Sequence, residues 1–84
     1  MTKDAILQAF YGIQGVDFVE YEVRGESDNR TVWFSVGVSG GRFEAVCCEQ
    51  SDIDELLDIV EVHQTRAICN KKRKLNVKFV SDSF

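Results

Sequence analysis

Proline is absent from the chain; tryptophan, histidine and methionine occur once each and cysteine three times. Without proline there is no polyproline segment and no proline-marked linker. No apolar run approaches the roughly 20 residues of a membrane span, and Met1-Thr2-Lys3-Asp4 lacks the basic-then-apolar pattern of a secretory signal. Nothing routes the chain to an oxidising compartment, so the expected location is the cytosol, with no membrane partner. Cys47, Cys48 and Cys69 are an odd number and read as free thiols there. Neighbouring residues on a strand point to opposite faces, so Cys47 and Cys48 are no metal pair. Their spacing to His63 and Cys69 matches no zinc pattern. No metal or other cofactor is expected. A Cys48 nucleophile with His63 as base has nothing in the spacing to bring the two together. Gly37 and Gly40-Gly41 lie between strands with no helix after them, which argues for turns over a phosphate loop.

What is present bounds the answer further. Eighty-four residues with 44% hydrophobic content and nine aromatics make one folded domain over 1–84. A chain of this size buries only roughly 60 to 65% of its unfolded surface, which leaves little room for a deep catalytic cleft. Net charge is −4, unevenly distributed. Through Glu61 there are four basic and thirteen acidic residues; from Val62 onward six basic residues face Asp82 alone. An acidic body with a basic tail points to an electrostatically steered partner.

Thr2 reads as the cap of a helix over Lys3–Ile13, with Ala5, Ile6, Ala9, Phe10 and Ile13 at helical spacing. Gly12 and Gly15 end it. Val16–Arg24 alternates, with Val19, Tyr21 and Val23 on one side and Phe18, Glu20, Glu22 and Arg24 on the other. Glu26-Ser27-Asp28-Asn29 forms a turn. Placing Gly25 opposite Arg30 pairs Val23 with Val32, Tyr21 with Phe34 and Val19 with Val36. The next hairpin, Thr31–Cys48, is expected to turn at Gly40-Gly41 with positive φ at both, which sets Val38 against Phe43, Val36 against Ala45 and Phe34 against Cys47. Both turns select the same apolar face. Ser51 reads as the cap of a second helix, with Asp52, Asp54 and Glu55 in its first turn and Ile53, Leu56, Leu57 and Val60 as its apolar stripe. That helix is expected to continue through Gln64, Ala67 and Ile68 to the basic run Lys71–Lys74. A competing reading stops it near Val62 and makes Thr65–Cys69 a strand. Leu75–Val80 alternates and is expected to be a short last strand.

The fold expected is therefore α+β in the order α-β-β-β-α-β, with an antiparallel three-stranded meander and both helices on one face of the sheet. In topology, residues 3–70 resemble the double-stranded-RNA-binding domain, which also packs two helices on one face of a meander. That family places a lysine cluster at the start of its second helix, where this chain has Asp52, Asp54 and Glu55. Its first hairpin loop carries glycine, proline and histidine, which Glu26–Asn29 lacks. The resemblance therefore implies an architecture and no RNA site.

The candidate site is the outer face of the meander. On the expected registers it carries Phe18, Trp33, Val46 and Cys48, with Glu20, Glu22, Arg24 and Glu44 around them. An apolar centre with an acidic rim suits a protein partner, since exposed aromatics anchor interfaces. Burial under the last strand, the first helix or a second copy of the chain is the competing reading. The acidic row on the second helix, with Asp54, Glu55 and Asp58, is expected to contribute to the same contact or to be a solvated face. The expectation is a non-enzymatic binding module, an inhibitor or adaptor of the kind phages direct at host defence enzymes, acting on a larger basic or nucleic-acid-handling protein. The alternative is a nucleic-acid-binding domain using Arg66, Lys71, Lys72, Arg73, Lys74 and Lys78.

Overall fold

The computed structural model describes residues 2–65, the side chain of Ser27 excepted, and 74–82. In chain order they form α1 (Lys3–Tyr11), β1 (Val16–Arg24), a single 3-10 turn (Ser27–Asn29), β2 (Thr31–Val38), β3 (Gly41–Cys47), α2 (Gln50–Thr65) and β4 (Val77–Ser81). The strands make one antiparallel sheet in the order β1-β2-β3-β4, and both helices cover the same side of it. No described helix is long and apolar enough to cross a membrane.

Thr2 caps α1 as its sequence demands, its Oγ1 accepting from the Ala5 N–H at 3.3 Å. The helix stops two residues short of the expected Ile13. The Gly12 N–H closes the last full turn on the Gln8 carbonyl, and the Ile13 N–H tightens onto Phe10. Ile6 and Phe10 face the sheet and are buried.

The β1–β2 register is the expected one, with Val19 opposite Val36, Tyr21 opposite Phe34 and Val23 opposite Val32. A bulge between Val16 and Phe18 bends the start of β1. The β2–β3 register differs from expectation by two residues: Val38 faces Gly41, Val36 faces Phe43, Phe34 faces Ala45 and Val32 faces Cys47. The turn residues are Ser39 and Gly40, and Gly40 alone of the two glycines takes positive φ, at 88°. Gly41 belongs to the strand because β4 runs against it. A Cβ there would meet the Val80 carbonyl oxygen and come within 2.7 Å of Phe79 Cζ. A two-residue slip keeps every side chain on its own face, so the apolar pattern is blind to it.

The α2 start also departs from expectation. The helix begins at Gln50, and Ser51 does not cap it. Asp52, 8% exposed, turns its Oδ2 back to accept the N–H groups of Cys48 at 2.9 Å and Glu49 at 3.1 Å. This is the return half of a capping box, made by the third helical residue on the amide before the helix. Ser51 instead donates its hydroxyl to Glu49 Oε2. The helical state extends past Val62 through Thr65, against the strand alternative there; Ala67 and Ile68 lie outside the described residues.

The core sits between the helices and one side of the sheet. Phe10, Phe34, Val36, Leu56, Val60 and Cys47 are the largest fully enclosed side chains. Each large apolar one contributes about 1.5 to 3 kcal/mol by leaving water. Phe34 packs at 5.8 Å from Phe10 and edge-on to Tyr21 at 5.3 Å. β4 extends the sheet at its β3 edge without crossing the outer side. It is tied down by the Leu75 N–H donating to Glu55 Oε2 at 3.1 Å and by Phe79 packing against Phe43 and His63 at 4.9 and 5.3 Å.

Candidate protein-interaction face

The side of the sheet away from the helices is built in cross-strand rows. Phe18, Gly37, Arg42 and Val80 form one; Glu20, Ser35, Glu44 and Lys78 the next; Glu22, Trp33 and Val46 the third. Among the described residues, no helix or strand lies over these rows. Phe18 is 40% exposed and Trp33 39%, although both are large apolar side chains on a sheet. Val46 is half-buried, and Cys48 is exposed just beyond the end of β3. Two strand positions thus explain the aromatics locally. Phe18 lays its ring over Gly37, where any Cβ would collide with it, so the missing side chain is what lets the ring lie flat. Trp33 lies under the Arg24 guanidinium, whose carbon stands 4.5 Å from the ring centroid.

The charges on this face neutralise one another in short pairs. Arg24 donates to Glu22 at 2.9 Å, and Arg42 to Glu44 at 2.9 Å. The hydrogen bond from Arg24, aided by its charge, holds the Glu22 carboxyl below the usual carboxylate range. Between these pairs opens a shallow cleft of about 750 Å³, with Ser35 at its middle and Glu20, Glu44, Trp33, Arg24 and Arg42 around it. Glu20 is exposed and has no ion-pair partner among the described residues.

The expected site residues do not all come together. Phe18, Glu20, Glu22, Trp33, Glu44 and Val46 share the outer face. Asp54, Glu55 and Asp58 ride on α2, which packs on the opposite side of the sheet, so one flat contact cannot include both groups. Asp54 accepts from the Gln50 side chain and Glu55 holds the Leu75 amide, which gives both a local structural role. The rim is also less acidic than expected, because Arg42 and Lys78 join it. Their place follows from strand parity: Arg42 is even-numbered like Glu44 and Val46, and β4 brings Lys78 opposite Glu44. Of the alternative basic set, Arg66, Lys71, Lys72 and Arg73 lie outside the described residues. Lys74 pairs with Glu49 at 3.8 Å.

The one histidine, His63, packs edge-on to Phe43 at 4.9 Å on the helix side. It stands thirteen residues along α2 from Gln50, about 20 Å from the Cys48 end of the helix at 1.5 Å per residue. Cys47 is enclosed in the core, and burial pushes its thiol up to about 12. Among the described residues no group of three or more His, Cys, Asp or Glu side chains is placed to hold a metal ion. Comparison with protein-family models, with curated proteins and with solved structures finds no match.

Proposed function

We propose that the chain is a cytosolic, non-enzymatic protein-binding module whose contact surface is the outer face of the sheet. Its role on this reading is that of a small inhibitor or adaptor, the phage anti-defence type included, seated on a larger basic protein. The observation that carries it is the pair Phe18 and Trp33, about two-fifths exposed, on a face that no described helix or strand covers. Exposing them to water is unfavourable, whereas a partner that covers them gains the two-fifths of their surface that is still exposed. The self-paired rim of Glu22–Arg24 and Glu44–Arg42 suits the periphery of such a contact, where charges set orientation more than affinity.

The test is affinity capture with identification of the bound protein, followed by titration of the purified target. Trp33→Ala, checked by circular dichroism to be folded, is expected to weaken binding at least ~30-fold, the effect of losing a central aromatic anchor. Asp54→Lys with Asp58→Lys, on the opposite side of the molecule, is expected to leave it unchanged. Equal binding by folded Trp33→Ala, or loss of binding only in the α2 variant, overturns the assignment.

A further inference from the structure

We infer that the cleft over Ser35 is a receptor for one basic side chain of the partner, an arginine by preference, with Glu20 as its counter-ion. The inference rests on the proposed role of the outer face and specifies what that face recognises.

Three observations combine. First, the carboxylates around the cleft are not equivalent. Glu22 and Glu44 are each engaged by a guanidinium of the same chain at 2.9 Å, whereas Glu20 has no such partner among the described residues. Of the cleft-lining carboxylates Glu20, Glu22 and Glu44, Glu20 is the one that Arg24 and Arg42 leave unengaged, and Lys78 stands at the far end of its row, beyond Glu44. Second, the space is of the right width. Glu20 and Glu44 stand on either side of Ser35 in one row, so their backbones are two strand spacings apart, about 10 Å. The small Ser35 side chain leaves the gap between them open. A guanidinium entering it donates to Glu20 without displacing Arg42 from Glu44. Third, the walls favour a planar cation. Arg24 already rests over Trp33 at 4.5 Å while donating to Glu22, which shows the face holding a guanidinium by ring and carboxylate together. A partner arginine on Glu20 repeats that arrangement one row along, beside the same indole.

Trp33 is the chain's single tryptophan, so its emission reports on the cleft alone. The experiment titrates the full chain with two pentapeptides, each with a central arginine or its neutral isostere citrulline between leucines. Tryptophan fluorescence and backbone amide shifts are the readouts. The arginine peptide is expected to shift the Glu20, Trp33 and Ser35 amides and to bind about fivefold more tightly than the citrulline peptide, the factor that ~1 kcal/mol of ion pairing represents. Glu20→Gln is expected to abolish that preference, and Asp54→Asn to retain it. Equal binding of the two peptides, or an unchanged preference in Glu20→Gln, overturns the receptor while leaving the outer face as the contact surface. Shifts confined to α2, or none on the outer face at millimolar peptide, also overturn it. In that case the Trp33→Ala titration against the captured target decides the wider reading separately.

Discussion

Asp52 joins β3 to α2, and its removal gives a sharp test of how that corner is held. One carboxylate oxygen accepts two backbone amides, those of Cys48 and Glu49, at 2.9 and 3.1 Å. In Asp52→Ala both amides lose their acceptor and the helix loses its capping contact. Loss of a cap costs about 1 kcal/mol. Leaving amides unpaired costs about 1 kcal/mol each at a half-buried position that water partly reaches. The capping contact is the Glu49 bond itself, so the total is roughly 2 kcal/mol, against a total stability of roughly 4 to 12 kcal/mol for a chain of this length. The midpoint of thermal unfolding should fall by roughly 8 to 16 °C. Asp52→Asn keeps one carbonyl acceptor and should lose only about 1 kcal/mol. Ser51→Ala, which removes the residue that a cap-seeking reading of the sequence selects, should change stability by less than about 0.5 kcal/mol. Urea unfolding followed by circular dichroism measures all three, with unchanged slopes as the check on two-state behaviour. An Asp52→Ala protein within about 0.5 kcal/mol of wild type, or a Ser51→Ala protein losing more than about 1 kcal/mol, refutes this account of the corner.

Two further outcomes follow from the packing. Gly41→Ala drives a methyl group toward the Val80 carbonyl and to 2.7 Å from Phe79 Cζ, so β4 has to shift. About 1 to 3 kcal/mol of destabilisation is expected, with faster amide exchange in β4, and unaltered exchange there would contradict the register. Cys47, buried and with its thiol pushed to about 12, should resist iodoacetamide at neutral pH until the protein unfolds, whereas exposed Cys48 reacts at once. Peptide mass spectrometry separates the two sites, and equal native labelling would show that β3 does not hold Cys47 inside.

Much of this fold was legible from strand parity. The alternation in Val16–Arg24 and Thr31–Val38 placed Val19, Tyr21, Phe34 and Val36 on one side and Phe18, Glu20 and Trp33 on the other, and the structure agrees. Parity could not choose between two hairpin registers that differ by two residues. The choice falls to Gly41, whose missing side chain is needed by β4, an element distant in sequence. The cap of α2 was misassigned for a similar reason: serine and aspartate next to one another both satisfy the local rule, and only the path of Cys48 and Glu49 makes Asp52 the acceptor. The candidate site was readable residue by residue on β1 and β2. The side α2 takes, away from Trp33, was also legible in its apolar stripe of Ile53, Leu56 and Val60, which meets the buried side of the sheet; the consequence that Asp54, Glu55 and Asp58 then cannot share a flat contact with Trp33 emerges only in three dimensions.

The sequential order β1-β2-β3-β4 conceals an unequal history among the strands. β1, β2 and β3 are joined by short turns, so their pairing closes small loops at little entropic cost. β4 reaches β3 only after the chain has travelled through the whole of α2, and its loop is several times longer. Assembly is therefore expected to end with β4, and partial opening to begin there. Trp33, Glu20 and Ser35 belong to the early part, whereas Lys78 and Val80 belong to the late part. A molecule with β4 detached would still present the Trp33 cleft, and the exchange measurement on Gly41→Ala observes that state directly.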